Sequence, residues 1–125
     1  MEWELIVHKE EKYIEIITQG DADYDSSINM GKSITETMRN NRIKKVLIDH
    51  RNITGISGKT IEIYNRPMTL RLIGLLLGVK IAEVIKPEHL EHFRFFETVC
   101  RNQGFTMSIF QEKKEALKWL LSWAY

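Results

Sequence analysis

The sequence has a single cysteine, Cys100, and only two prolines among its 125 residues. One cysteine excludes an internal disulfide and any zinc site built from several cysteines. An excess of charge of one sign is also lacking, because 18 lysines and arginines stand against 17 aspartates and glutamates. Proteins that bind nucleic acid usually carry a basic excess, so we expect no nucleic-acid partner.

Long apolar runs are absent as well. The longest, LIGLLLGV at 72–79, is shorter than the roughly 20 residues that a membrane-spanning helix needs. The chain start, Met1 to Glu4, lacks the basic residues and the apolar segment of a signal peptide. No linker or repeat interrupts the sequence. We therefore expect one cytoplasmic domain over residues 1–125, large enough to bury a core of its own.

Hydrophobic periodicity predicts alternating strands and helices. The predicted strands are 3–8, 13–18, 44–49, 79–85 and 106–110. The predicted helices are one that begins after Asp23 or Asp25 as its cap and continues through Met38, one at 59–76 with a kink or restart at Pro67, one at 87–102 and one at 112–124. The order β-β-α-β-α-β-α-β-α predicts an α/β fold with four helices on a five-stranded mixed sheet. Its first strand runs antiparallel to the second.

A D-x-D-x-D pattern at Asp21, Asp23 and Asp25 begins as a calcium-binding EF-hand loop does. The required glycine and glutamate are missing, because Ser26 and Lys32 occupy those positions. The pattern is therefore better explained as a turn that caps the following helix.

Two further sets of reactive side chains lack the partners that chemistry would need. His89 and His92 share a helix face, but no third zinc ligand lies at a known spacing, so a solvated surface is expected. Cys100 lies on an apolar helix face with no nearby base, which favours a buried core thiol. We therefore expect no metal, no cofactor and no enzymatic activity.

The stretch VLIDHRNITGISGKT at 46–60 predicts a strand, a loop and the start of a helix. A phosphate-binding loop would need glycine at position 53, where the chain has Ile53. A nucleotide site is therefore not predicted, and Ser57 is expected to cap the helix that follows.

The same loop follows a central strand, and open α/β sheets bind their ligands at the carboxyl ends of such strands. We predict that the loop at 50–60 contacts a partner or a ligand without catalysis. The predicted contact residues are His50, Arg51, Asn52, Thr54, Ser57, Lys59 and Thr60. The alternative is that Arg51 pairs with Asp49 and the loop only connects two elements.

Trp119 and Trp123 stand four residues apart on one face of the last helix. Such a face usually packs into the core, and the alternative is an anchor for a partner. We predict these two residues as interface residues of a homodimer.

The segments FFETVCRNQGF at 95–105 and IFQEKKEALKWL at 109–120 resemble the closing half of SpoIIAA-like proteins. These proteins belong with the STAS domains (sulphate transporter and anti-sigma factor antagonist). The family often reads F-x-E-T-V-A-R-N-R-G there, followed by a strand and E-E-A-L-x-W-L. VLIDHRNITG at 46–55 is similar to the family's I-L-I-D-x-R-x-V-T-G, and GDADYDSS at 20–27 to its G-x-x-x-x-D-Y.

The resemblance implies a STAS-type α/β fold and a regulatory module that acts through protein contact. In the anti-sigma antagonists, a Ser or Thr at the start of the helix after the third strand is phosphorylated, in a D-S-S-G-like pattern. This chain has Ser57-Gly58 there, without the preceding Asp-Ser. An alternative function is a carrier of a small apolar or lipid-like ligand, in a groove lined by the leucine-rich segment 70–79 and the Met-containing helix 30–38.

Overall fold

The computed structural model describes residues 1–57 and 78–122. Its strands are β1 (Glu2–His8), β2 (Tyr13–Ala22), β3 (Lys45–Ile56), β4 (Lys80–Val84) and β5 (Thr106–Phe110). Its α-helices are α1 (Tyr24–Asn41), α2 (Leu90–Asn102) and α3 (Lys113–Leu120), and a 3-10 turn at Pro87–His89 leads into α2. The described ranges thus contain three of the four predicted helices, and the helix predicted at 59–76 lies outside them.

The five strands form one mixed sheet in which the spatial order follows the chain order. β1 runs antiparallel to β2, and all other neighbouring strands are parallel. The predicted α/β class, strand number and antiparallel first pair are therefore confirmed. None of the helices in the described part of the chain is long and apolar enough to cross a membrane.

One prediction about β3 is wrong: the expected loop at 50–60 is strand as far as Ile56. β2 also continues beyond its apolar part, to Ala22, and pairs with the end of β3. Shifts in register between Ile17 and Gln19 and between Gly20 and Asp21 accommodate the extra residues of β3. No apolar run marks the second half of β3, so its polar composition suggested a loop. Its backbone pairing with β2 nevertheless makes it strand.

Helices cover both faces of the sheet. On one face, α1 and α2 pack over a core that includes Ile14, Ile16, Ile34, Met38, Val46, Ile48, Phe96, Cys100 and Met107. On the other face, α3 packs over Tyr13, Leu47, Ala82 and Val84 through Ala116 and Leu120. Cys100 is 4% exposed, so its predicted place in the core is confirmed. The covering of both faces explains why the apolar part of β3 shows no alternation.

The outer edge of β5 is closed by two side chains of α2. Arg101 donates from Nε to the carbonyl oxygen of Met107 at 2.8 Å, and a carboxylate oxygen of Glu97 accepts from the Ile109 N–H at 2.8 Å. Gly104 has a φ of 89°, which favours glycine, and it turns the chain from α2 into β5. The segment FFETVCRNQG thus supplies the side chains that hydrogen-bond to the outward backbone groups of the edge strand β5.

Candidate functional site

The carboxyl ends of β2 and β3 meet the start of α1 at one edge of the molecule, and Ser57 lies there. Ser57 directly follows β3, and its N–H donates to the carbonyl oxygen of Ala22 at 2.9 Å. Its hydroxyl donates to a carboxylate oxygen of Asp21 at 2.8 Å, and the residue is exposed to solvent. The edge therefore presents a hydroxyl whose orientation is fixed by a neighbouring strand.

Gly55 allows this arrangement. A Cβ at position 55 would lie 3.0 Å from a carboxylate oxygen of Asp21, closer than about nine in ten real Cβ contacts. A larger residue would shift this side chain by a few tenths of an ångström, and with it the hydrogen bond to Ser57. Glycine thus suits a close approach between side chain and backbone.

Asp23 caps α1, as the sequence predicted. Its carboxylate accepts from the backbone N–H of Ser26 at 3.1 Å, in extended geometry at the helix start. Hydrogen bonding from Ser26 lowers the pKa of Asp23 to about 2. A carboxylate at the positive end of a helix is the arrangement that the helix dipole favours. Two of the three aspartates of the D-x-D-x-D pattern thus bind their own chain.

Asn52 and Thr54, two of the predicted contact residues, are exposed on the extension of β3. They line an open depression together with Gln19 and Gly20 of β2 and the start of β1. Lys86 donates to the carbonyl oxygen of Ile53 at 2.9 Å and so ties the end of β4 to β3. The structure therefore brings Asn52, Thr54 and Ser57 to one end of the sheet.

Arg51 pairs with Asp49, the alternative that the sequence left open. The guanidinium donates from Nε and from a terminal nitrogen to the two carboxylate oxygens, at 2.9 and 2.7 Å. Burial alone would raise the pKa of Asp49, but the hydrogen bonds and the charge of Arg51 hold it below its ordinary value. Arg51 keeps 44% of its side chain exposed, so it both pairs and remains reachable from solvent.

His50 is not at the exposed edge. It is 5% exposed and stacks on Phe93 of α2, with ring centroids 5.0 Å apart. Its Nδ1 lies 2.8 Å from the hydroxyl of Thr18, and its Nε2 lies 3.6 Å from a carboxylate oxygen of Glu83. The polar context of His50 in the sequence predicted a surface residue, whereas β2 and β4 surround it with polar partners in the interior.

The series Thr18, His50 and Glu83 has the residue types of a nucleophile, a base and an acid. Thr18 is 0% exposed, however, and its hydroxyl donates to the carbonyl oxygen of Asp49 at 3.2 Å. No substrate can reach a hydroxyl placed inside the sheet. These contacts therefore fit a hydrogen-bonded core and not a hydrolytic site.

An apolar cavity of about 70 Å³ lies between α1, α2 and the sheet. Its lining includes Met30 and Gly31 of α1, Phe96 of α2, and the side chains of His50 and Glu83. The volume exceeds what a single water needs, and the polar residues of the lining, which also include Ser27 and His92, lie among mostly apolar ones. The cavity thus has the composition of a small-molecule pocket, at small size.

Two buried acids, Glu15 and Glu83, were not predicted from the sequence. Glu15 is hydrogen-bonded to His8 at 2.8 Å and to Lys113 of α3. Burial would raise the pKa of Glu15, and these two hydrogen bonds lower it overall. Each acid is the lone charged residue within an apolar strand segment, YIEII or IAEVI, and that isolation was the available signal.

The residues considered as metal ligands do not converge. His89 lies in the 3-10 turn before α2, and His92 packs edge-on against Phe93 with centroids 4.9 Å apart. Over residues 1–57 and 78–122, no group of three or more His, Cys, Asp or Glu side chains could hold a metal ion.

Trp119 packs within the molecule. Its ring lies 5.6 Å from that of Phe110, and the Lys80 ammonium is 4.5 Å from the ring centroid. Lys80 also donates to the Trp119 carbonyl oxygen at 2.6 Å. Trp123, and the predicted contact residues Lys59 and Thr60, lie outside the described residues. The interface role of the two tryptophans stays a prediction.

Two solved structures are similar to the chain over nearly its whole length. One is the anti-sigma factor antagonist SpoIIAA in its unphosphorylated form, with a TM-score of 0.58 and 11% identity over 99% of this chain and 100% of that chain. The other is a DUF3478 family protein from Shewanella loihica PV-4, described as having a SpoIIAA-like fold. It has a TM-score of 0.59 and 18% identity over 95% of this chain and 92% of that chain. The chain has a SpoIIAA-like fold.

The fold that the sequence motifs implied is therefore confirmed. A comparison with models of known protein families gives no match, and no curated protein matches the chain. In this SpoIIAA-like fold, Ser57 follows the third strand directly and lies at the carboxyl ends of the parallel strands.

Proposed function

We propose that the chain is a cytoplasmic regulatory domain of the STAS type, which binds a protein partner through the edge around Ser57 and carries out no catalysis. The observation that supports this most directly is the exposed hydroxyl of Ser57, held by Asp21 at the end of β3. The similarity to a protein described as an anti-sigma factor antagonist, in an unphosphorylated form, also supports a contact function. Asn52 and Thr54 extend the same edge.

Phosphorylation of Ser57 would change this edge in a defined way. A phosphoserine carries about −1.5 to −2 charges at neutral pH. The phosphate would replace a hydroxyl that now lies 2.8 Å from the carboxylate of Asp21, so the two anions would repel each other. The contact between β2 and Ser57 would open, and the edge would gain charge. Both changes would weaken a partner that binds the unmodified edge.

The test compares three variants as immobilised baits in a lysate of the source organism. We expect the parent and Ser57→Ala to capture the same partner in equal amounts. We expect Ser57→Asp to capture at least tenfold less of it. Ser122→Asp is the matched control, because Ser122 is exposed and hydrogen-bonds to Trp119, which contacts Lys80 at the opposite end of β4. Circular dichroism confirms that every variant is folded.

Equal capture by the parent, Ser57→Asp and Ser122→Asp would show that the edge is not the contact surface. Equal loss with both aspartate variants would show a general sensitivity to charge. Mass spectrometry of the protein from its source adds a direct measurement, since phosphate is expected on Ser57 and not on Ser122.

A second candidate function is a carrier of a small apolar ligand, which the cavity between α1 and α2 favours. Met30 in its lining belongs to the helix that the sequence associated with this function, whereas residues 70–77 of the leucine-rich segment lie outside the described residues. Native mass spectrometry of protein purified from its source separates the two functions. A carrier would show a bound mass that Gly31→Leu removes by filling the cavity, while partner capture through Ser57 would not depend on that substitution.

A further inference from the structure

The two outer strands of the sheet differ in how their free edges are treated. The edge of β5 is hydrogen-bonded to Arg101 and Glu97, as described above. Within the described residues, no side chain hydrogen-bonds to the backbone of β1, which extends over seven residues. Alternate residues of an antiparallel edge strand direct their N–H and C=O groups outward, where another strand can pair with them.

The side chains of β1 also form a regular pattern. Trp3, Leu5 and Val7 point to the face of α1 and α2, where they pack against the core and remain half-buried. They form a partly exposed apolar row along the free edge. A strand added at this edge would cover that row and would satisfy the outward backbone groups in the same step.

We propose that β1 pairs antiparallel with β1 of a second copy of this chain, so that the two sheets become one continuous sheet across a two-fold axis. With Leu5 on the axis, Trp3 of one copy lies opposite Val7 of the other, and the two apolar rows meet. Every residue then faces its counterpart on the same side of the joined sheet.

Charge argues for a second copy in this orientation. Glu2 and Glu4 lie in the first half of β1, whereas His8, which is hydrogen-bonded to Glu15, ends the strand. Antiparallel self-pairing places Glu2 of each copy opposite His8 of the other and Glu4 opposite Ile6. Parallel pairing would place Glu2 beside Glu2 and Glu4 beside Glu4. The charges of β1 therefore favour the antiparallel direction.

This inference concerns the sheet edge and does not depend on the role of Ser57, so the two proposals fail separately. The test measures mass by analytical ultracentrifugation over a range of micromolar concentrations. We expect the parent to be a dimer and Leu5→Lys to be a monomer, because two ammonium groups would meet at the axis. Phe95→Lys is the matched control, since it also replaces a partly exposed apolar residue, on α2, and should remain a dimer.

Glu4→Lys is a second variant that keeps the test valid if Leu5→Lys fails to fold. Glu4 is exposed, so its substitution should leave the fold intact, and the added positive charge should raise the dissociation constant at least tenfold. High salt should lessen this effect, because the charges at the edge are exposed. Hydrogen exchange of β1 amides should slow as the protein concentration rises through the dissociation constant.

Three results would overturn the proposal. The parent would be monomeric at all concentrations, or the dimer would survive in a folded Leu5→Lys and in Glu4→Lys, or a dimer would form without protection of β1 amides. A dimer lost in Trp119→Ala but kept in both β1 variants would place the interface on α3, as the sequence predicted.

Discussion

At the scale of single residues, the ion pair between Asp49 and Arg51 shows how the alternation of side chains along a strand brings two charged groups together. One residue, His50, separates them along β3, so their side chains lie on the same face of the sheet. Asp49 is 5% exposed and would be costly as an isolated charge, and the guanidinium of Arg51 takes both of its oxygens. The buried charge of Asp49 is therefore compensated by a residue of the same strand.

We expect Asp49→Asn to lower the free energy of unfolding at pH 7 by about 1 kcal/mol, a modest value because solvent around Arg51 screens the pair. The pKa of Asp49 is lower in the folded chain than its ordinary value of 3.8. The carboxylate thus stabilises the fold above that value, and its contribution is lost as the pH falls through the folded pKa. Urea unfolding from pH 7 downward should show the gap between parent and variant closing below about pH 4.

The control for this prediction is a double-mutant cycle with Arg51→Gln. Because the two side chains bond directly, the two substitutions together should cost less than the sum of their separate costs. Strict additivity, or a gap between parent and Asp49→Asn that stays constant in acid, would contradict the pairing.

The different outcomes for His50 and Arg51 show what a residue's neighbours in sequence can predict. Asp49, the partner of Arg51, lies only two positions away, so the sequence indicated this pair as an alternative. The partners of His50 are Thr18, Glu83 and Phe93, which belong to three other elements. Nothing near His50 in the sequence indicates them, and its burial was not predictable without the strand pairing.

At the scale of elements, α2 and β5 depend on each other through Arg101 and Glu97. A cation near the end of a helix is expected from the helix dipole alone. The structure adds an acceptor in the next strand, the carbonyl oxygen of Met107, which the sequence does not indicate. The helix thus orders the strand that follows it and blocks that edge against other strands.

Arg101→Ala should therefore lower the free energy of unfolding by about 1 kcal/mol, the net worth of a hydrogen bond to a charged group in partial exposure. It should also speed hydrogen exchange in β5. Arg94→Ala is the control on the same helix, because Arg94 is exposed too, and we expect its effect to stay within about 0.5 kcal/mol. Similar losses from both variants would mean that the contact of Arg101 with β5 adds no specific stability.

The predicted elements agree with the structure where apolar residues mark a strand or helix. They differ where a strand is defined only by its backbone hydrogen bonds. The apolar cores of all five strands and the cap at Asp23 follow from periodicity and side-chain chemistry. The extensions of β2 to Ala22 and of β3 to Ile56 follow from their pairing with each other. That pairing is a tertiary contact, so the sequence predicted a loop where β3 continues as a strand, and the contact role of the edge around Ser57 stays a prediction.

At the scale of the whole molecule, the sheet separates two apolar layers that share its strands. Val46 and Ile48 of β3 face α1 and α2, while Leu47 between them faces α3. A strand cannot lose one face without losing the other, so the two layers should unfold together. This is the physical content of the prediction that residues 1–125 form one domain.

Phe96→Ala tests this coupling, because Phe96 is 6% exposed in the layer of α1 and α2. The substitution should cost about 3–5 kcal/mol, a large part of the 5–15 kcal/mol typical of a domain. Two single-tryptophan proteins provide the measurement: one keeps Trp3, which packs on the α1 and α2 layer, and one keeps Trp119 on the α3 layer. In urea unfolding, the midpoints reported by the two tryptophans should move to lower urea concentration by the same amount.

Phe95→Ala is the control, at a neighbouring position that is 40% exposed. It should shift neither midpoint by more than about a fifth of that amount. If Phe96→Ala moves the Trp3 transition and leaves the Trp119 transition in place, the two layers unfold independently and the chain is not one cooperative domain.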